Sequence, residues 1–139
     1  MSELTPFVTG RAFLESPRWH AGALYVSDMF ADVVLRITED GEVSTVVDVE
    51  QPSGLGWLPD GTLLISSMAQ RRVLRFDGAQ LTEHADVRAL ATQEINDMVI
   101  DRHGHAFLGQ FGFDPLAGEA PVPGPVDPDR RRWHGVRGR

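Results

Sequence analysis

The 139-residue sequence contains no cysteine, which excludes disulfides, thiolate zinc sites and cysteine nucleophiles. Metal sites built from carboxylate, amide or histidine ligands remain open. The sequence also lacks any run approaching the ~20 apolar residues that a membrane helix needs. Its first residues, MSELTPFVTG, have neither a basic start nor a continuous apolar stretch. We therefore expect a cytoplasmic protein without a membrane partner.

Lysine is also absent, so all 13 basic residues are arginine. Against 20 acidic residues they leave a formal net charge of -7, which argues against a nucleic-acid partner. Five of the arginines crowd the last ten positions: Arg130, Arg131, Arg132, Arg137 and Arg139. The body of the chain, with 42% hydrophobic and 24% charged residues overall, is typical of one globular domain. The C-terminal tail differs from it in composition.

A repeat of about forty residues organises the chain. A shift of 39 residues superimposes several positions: Gly22 on Gly61, Leu24 on Leu63, Ser27 on Ser66, Met29 on Met68, and the triplet 34–36 on 73–75. A further shift of 43 residues carries GTLLIS onto GHAFLG. A fixed period of this length indicates a repeat architecture.

Each repeat contains short runs of β-branched and apolar residues separated by turn signals such as HAG, EDG and PDG. Four strands in about 40 residues are typical of a β-propeller blade. A β-sandwich or a two-sheet barrel would share the short strands, but neither requires a residue-level repeat. We therefore predict an all-β propeller.

The predicted organisation is a partial propeller of about two and a half blades over residues 1–114. Blade 1 is expected at about 16–49, blade 2 at about 53–87, and the start of blade 3 at about 95–113. The early segment PFVTG reads as a closing strand, and residues 115–139 read as an irregular tail rich in Pro, Gly and Arg. Because such a ring leaves strand edges unpaired, these open blade edges would allow self-association.

Three polar residues occupy the same place in successive repeats, next to the innermost strand: Glu15, Ser53 and Asn96. In a propeller these strands line the central channel, so the three side chains are expected to converge there. Carboxylate and amide oxygens suit Ca²⁺, Mg²⁺, Mn²⁺ or Zn²⁺. The structural alternative is that Glu15 accepts backbone hydrogen bonds and that Asn96 and Asp97 form a turn.

Other conspicuous residues have simpler interpretations. His103 and His105 form an HxH pattern but flank a turn glycine, so we expect exposed turn residues and not metal ligands. Trp19 and Trp57 recur at matching places and are expected to pack between blades. No GxSxG motif is present, so a serine nucleophile has no support.

The segments FLESPRWHAGALYVSDMF, QPSGLGWLPDGTLLISSM and INDMVIDRHGHAFLGQFGFD together resemble the gluconolactonase, senescence marker protein and luciferin-regenerating-enzyme-like family. The resemblance implies a six-bladed propeller, one divalent metal ion in the channel, and hydrolysis of lactones or related esters. It places the family's metal-binding glutamate on Glu15. It places the substrate-contacting asparagine on Asn96, with Asp97 beside it.

The sequence departs from the family pattern in three ways. Two further metal ligands of the family come from later blades that this sequence does not contain, and the general base is not assigned. An arginine common two residues before the asparagine is Glu94 here. After FGFD the sequence turns into the Arg-rich tail, which suggests as a hypothesis a frameshift or premature stop. We therefore expect a truncated family member with doubtful activity, or alternatively a non-catalytic propeller fragment or interaction module.

Overall fold

The computed structural model describes residues 3–113 and 117–120. Ten β-strands lie in this part of the chain, and its helical content is one 3₁₀ turn at Met29–Ala31. No helix in these residues is long and apolar enough to cross a membrane. The first four strands are β1 (Leu14–His20), β2 (Ala23–Asp28), β3 (Val33–Ile37) and β4 (Val43–Asp48). They form one antiparallel sheet in sequence order, which we call blade 1.

The next four strands repeat this arrangement as blade 2. They are β5 (Pro52–Trp57), β6 (Leu63–Ser67), β7 (Arg72–Phe76) and β8 (Leu81–Asp86). A two-stranded sheet follows, formed by β9 (Ile95–Ile100) and β10 (Ala106–Gln110), which we call blade 3. These sheets form part of a β-propeller, as the repeat predicts.

The 39-residue repeat is visible in the strand pairing. Leu24 pairs with Ile37 in blade 1, and Leu63 pairs with Phe76 in blade 2. The third and fourth strands of both blades also change register at matching places, between Val34 and Leu35 and between Val73 and Leu74. Equivalent turns and apolar positions therefore produce the same sheet twice.

Two apolar clusters hold the blades together. Between blades 1 and 2, the buried Val34 and Val49 pack with Leu55, Leu63 and Ile65. Between blades 2 and 3, Leu64 and Val73 pack with Met98 and Ala106. The innermost strands β1, β5 and β9 contact one another in series through these interfaces. Their side chains therefore share one space, as expected for the wall of a propeller channel.

The strand expected at PFVTG is absent, because residues 3–13 form bends and irregular backbone. Val8 packs instead against the apolar cluster of Val26, Leu35 and Ile37 on blade 1. Pro6 has no backbone N–H to offer a neighbouring strand. The short β-rich run therefore covers a sheet face and pairs with no strand among the described residues.

The two tryptophans differ in their surroundings. Trp57 stacks on His20 with ring centroids 4.0 Å apart and meets Tyr25 edge-on, so it packs between blades 1 and 2 as predicted. Trp19 is 59% exposed, so the prediction of inter-blade packing is wrong for this residue. Since Trp57 points from blade 2 toward blade 1, the equivalent Trp19 points away from blade 2.

The expected blade limits can be compared with the strands only in part. The first strand begins at Leu14, two residues before the expected start of blade 1, and the strands of blade 2 span 52–86. The expected tail at 115–139 lies outside the described residues apart from 117–120.

Candidate functional site

The three residues at equivalent repeat positions meet at the innermost strands. The Ser53 hydroxyl lies 2.6 Å from Glu15 Oε2 and 3.0 Å from Asn96 Oδ1. Ser53 is fully buried, while Glu15 and Asn96 are half-buried. The predicted convergence of these side chains is therefore present, and their closest atoms are oxygens contributed by three blades.

Strand pairing explains why the three positions coincide. Glu15 pairs with Ser27 at the start of β1, and a bulge follows it before Arg18. In blade 2 a similar bulge follows Pro52. Such bulges re-aim side chains at the ends of strands. Glu15 therefore lies at the edge of such an irregularity, while Ser53 and Asn96 lie within the corresponding ones, between Pro52 and Leu55 and between Ile95 and Met98.

A buried serine in the second strand of each complete blade fixes the next blade's site residue. Ser27 donates to the backbone carbonyl of Ser53 at 2.7 Å. Ser66, its counterpart 39 residues later, donates to the backbone carbonyl of Asn96 at 2.8 Å and accepts from the Gly54 amide at 2.6 Å. The repeat that defines the fold thus also positions the candidate site.

Glycine in β5 allows the strand of Asn96 to come close. A Cβ atom at Gly54 would lie 2.4 Å from the Met98 backbone nitrogen, and one at Gly56 would lie 2.8 Å from the Ile100 side chain. Both distances are far below van der Waals contact. The separation between β5 and β9 therefore depends on the absence of side chains at these two positions.

The segment before Glu15 is fixed by a buried carboxylate. Asp28, only 2% exposed, accepts hydrogen bonds from the backbone amides of Ala12 at 3.2 Å and Phe13 at 2.8 Å. The Met29 amide donates in turn to the Phe13 carbonyl. These bonds define where β1 begins, and therefore where Glu15 lies.

Asp97, the neighbour of Asn96, has a different environment from the other predicted residues. Its Oδ1 accepts hydrogen bonds from the Ser16 hydroxyl at 2.8 Å, from Arg18 Nη2 at 2.8 Å and from the Met98 amide at 2.6 Å. Its side chain is 53% exposed. Asp97 therefore joins the strand of Asn96 to the strand of Glu15 through an ion pair.

Sequence reasoning missed Arg18 and Ser16. Arg18 extends from β1 past β5 to β9, donating to the carbonyls of Leu55 at 3.1 Å and Met98 at 2.9 Å as well as to Asp97. Ser16 adopts a left-handed backbone conformation with φ of 50°. No repeat signal marks Arg18, because its counterparts in the next two blades are Gly56 and Val99.

The histidine pair lies at the β9–β10 turn, as predicted. His103 is exposed as expected, whereas His105 is half-buried, with its Nδ1 2.9 Å from Asp101 Oδ2. Hydrogen bonding, chiefly from the His105 backbone amide, lowers the pKa of Asp101 to about 2. Within residues 3–113 and 117–120, no group of three or more His, Cys, Asp or Glu side chains could hold a metal ion.

Comparison with known proteins decides the family. The family model for the SMP-30/Gluconolactonase/LRE-like region matches residues 13–129. The chain belongs to this family. No curated protein matches the sequence.

Solved structures agree in fold. A gluconolactonase from Xanthomonas campestris is 24% identical with a TM-score of 0.64, over 73% of this chain and 36% of its own. Virginiamycin B lyase from Staphylococcus aureus is 13% identical with a TM-score of 0.60, over 72% of this chain and 35% of its own. A calcium-binding protein, regucalcin, from Agrobacterium tumefaciens is 19% identical with a TM-score of 0.59, over 71% of this chain and 39% of its own. The chain thus matches little more than a third of each structure.

Proposed function

We propose that this chain contributes part of the channel site of a divalent-metal-dependent hydrolase that acts on lactones or related esters. In this proposal Glu15 is a metal ligand, and Ser53 lines the channel and holds the Glu15 carboxylate. Asn96 contacts the substrate, with Asp97 beside it. The family membership and the gluconolactonase and calcium-binding neighbours support this assignment.

The main support for the proposal is that the Glu15 carboxylate has no positively charged partner among the described residues. Glu15 is half-buried, and the Ser53 hydroxyl is the one side chain among the described residues that donates to it. No arginine in this part of the chain forms an ion pair with it, since Arg18 pairs with Asp97. A partly buried carboxylate with one hydroxyl donor is electrostatically undercompensated. A cation such as Ca²⁺, Mg²⁺, Mn²⁺ or Zn²⁺ would supply the missing positive charge.

The donor set also fits a hard cation. Glu15, Ser53 and Asn96 present oxygen atoms to one another, and Ca²⁺, Mg²⁺ and Mn²⁺ prefer oxygen ligands. A single hydroxyl hydrogen cannot fully satisfy both the Glu15 carboxylate and the Asn96 carbonyl. The arrangement therefore has spare acceptor capacity where the proposal places the ion.

Each residue has a separate task in this proposal. When bound, the ion would polarise the substrate carbonyl and lower the pKa of a coordinated water. Ser53 restricts the rotamers of Glu15, so the carboxylate is already oriented before the ion arrives. The Asn96 Nδ2 group, which donates to no described residue, is available to orient a substrate oxygen.

Substitution of Glu15 tests the proposal. Glu15→Gln keeps the size of the side chain and removes its charge, so we expect Ca²⁺ binding measured by calorimetry to be lost. Hydrolysis of a panel of sugar lactones and aryl esters should be lost with it. Glu42→Gln, on the exposed turn before β4, is the charge-matched control and should leave both unchanged. Equal Ca²⁺ affinity or turnover in Glu15→Gln and the wild-type chain would contradict the proposal.

A second candidate is a non-catalytic module that binds other protein surfaces. The observation in its favour is the outer apolar face of blade 3, where Val99 pairs with Phe107 and is 56% exposed. This candidate expects no stoichiometric metal binding. It also expects association that increases with protein concentration in sedimentation experiments and decreases in Val99→Thr. A stoichiometric Ca²⁺ site that depends on Glu15 would exclude it as the main function.

A further inference from the structure

We infer that Arg18, through its ion pair with Asp97, is a positioning residue that sets the distance between Glu15 and Asn96. This inference rests on the proposed function for its consequence, which is the affinity of the site for a divalent cation. Arg18 itself would touch neither ion nor substrate. Its effect would pass through the strand that carries Asn96.

The contacts of Arg18 span the three strands that carry the site. Its Nε–H donates to the Leu55 carbonyl of β5, and its Nη2 donates to both Asp97 Oδ1 and the Met98 carbonyl of β9. Its Nη1 donates to the Pro17 carbonyl of its own strand. The planar guanidinium presents its donors in a fixed geometry, so these four acceptors define one arrangement of β1, β5 and β9.

The two residues joined by this contact are neighbours of the site residues in sequence. Asp97 follows Asn96 directly, and Arg18 lies three residues after Glu15 on the same strand. Ser16, the residue between Glu15 and Pro17, also donates to Asp97 Oδ1. Because both ends of the connection are so close to the site residues, a change in the connection should move the Asn96 carboxamide relative to the Glu15 carboxylate.

Arg18 is held by more than its ion pair, in which the Asp97 side chain is 53% exposed. The Arg18 side chain is 27% exposed, and Gly54 and Gly56 already bring β9 close to β5. Three of the four acceptors are backbone carbonyls, which would lose this donor if Arg18 were replaced. Exposed ion pairs, by contrast, contribute little.

The test must distinguish an effect of Arg18 on the position of Asn96 from an effect of its charge on cation binding. Replacing Arg18 alone would leave the Asp97 carboxylate unpaired, and this extra negative charge would itself attract a cation. The double variant Arg18→Met/Asp97→Ser removes the guanidinium, keeps the net charge of the pair and adds no second asparagine. The matched control is Arg75→Met/Asp60→Ser, which removes an ion pair of 3.7 Å from blade 2 in the same charge-neutral way.

Asn96 provides a direct signal, because it is the only asparagine in the sequence. Asparagine labelled with ¹⁵N at the side-chain amide gives one pair of NMR cross-peaks, which reports the surroundings of this carboxamide without any metal present. We expect the Arg18/Asp97 double variant to shift these cross-peaks and to weaken Ca²⁺ binding by about 10-fold or more, the range usual for groups that orient ligands. The Arg75/Asp60 variant should change neither.

The two measurements distinguish failure of this inference from failure of the proposed function. If the wild-type chain binds no Ca²⁺, the metal proposal fails, while the metal-free spectrum still tests the position of Asn96. The inference is overturned if the double variant keeps the Asn96 cross-peaks in place, or binds Ca²⁺ within twofold of wild type. If the double variant does not fold, Arg18→Lys, which keeps the charge and loses the planar fork, should show a smaller shift in the same cross-peaks, and an unchanged spectrum overturns the inference.

Discussion

Ser66 donates its hydroxyl hydrogen to the backbone carbonyl of Asn96 at 2.8 Å, joining the second strand of blade 2 to the innermost strand of blade 3. The same relationship exists one blade earlier, where Ser27 donates to the Ser53 carbonyl at 2.7 Å. In the third repeat the equivalent position is Gly109. Small hydroxyl side chains are therefore part of how complete blades place the residue that faces the channel.

Removal of the Ser66 hydroxyl should destabilise the chain. Ser66→Ala leaves both the Asn96 carbonyl and the Gly54 amide without this partner in a fully buried position. We expect the free energy of unfolding, measured by urea titration, to fall by about 1–3 kcal/mol. Ser67→Ala is the control, since Ser67 is equally buried but donates to a single carbonyl, that of Glu50. A cost for Ser66→Ala no larger than that for Ser67→Ala would contradict the role given to Ser66.

Because β5 and β9 lie close together at Gly54, we expect a substitution of this glycine to destabilise the protein. In Gly54→Ala the new methyl group would lie 2.4 Å from the Met98 nitrogen, and relief requires movement of backbone. Overpacking of this kind costs about 1–3 kcal/mol or more. In Gly109→Ala the nearest atom is the Asp97 carbonyl oxygen at 3.5 Å, an ordinary contact, so this control should be nearly neutral. Similar urea midpoints for the two variants would refute the close packing of these strands.

The turn between β9 and β10 should make the stability of the protein depend on the ionisation of Asp101 at acid pH. Asp101 accepts hydrogen bonds from the backbone amides of His105 and His103, and its pKa is held at about 2, below the ordinary 3.8. A carboxylate with a depressed folded-state pKa stabilises the protein above the unfolded value and loses that contribution as pH falls through the folded value. The stability difference between wild type and Asp101→Asn, followed by urea unfolding, should therefore shrink as the pH falls from about 4 to about 2. A difference that is independent of pH over this range would show that ionisation of Asp101 does not stabilise the turn.

The repeat made the fold predictable from sequence. Equivalent glycine turns and apolar positions recur at a spacing of 39 residues, and the pairing of Leu24 with Ile37 and of Leu63 with Phe76 follows that spacing. The same logic brought together Glu15, Ser53 and Asn96, because equivalent positions of propeller blades share one end of the channel. The repeat thus predicted which distant residues lie close together, which local strand propensity alone does not predict.

Features outside the repeat could not be predicted in this way. The contact between Arg18 and Asp97 joins residues 79 positions apart and depends on a side-chain rotamer and on the left-handed backbone at Ser16. The segment PFVTG has the composition of a strand, yet Val8 packs on the face of blade 1. Local β-propensity reports fitness for a sheet surface and does not identify a partner strand.

The most direct test of the account is the effect of Mn²⁺ on the side-chain amide signal of Asn96, the only asparagine in the chain. Because Ser53 lies within 3.0 Å of both Glu15 and Asn96, an ion held by Glu15 would lie close enough to broaden this signal paramagnetically. We predict that less than one equivalent of Mn²⁺ broadens the Asn96 amide, that chelation restores it, and that Glu15→Gln abolishes the effect. An Asn96 signal that stays sharp at a full equivalent of Mn²⁺, or that broadens equally in Glu15→Gln, would contradict a metal ion held by Glu15 beside Asn96.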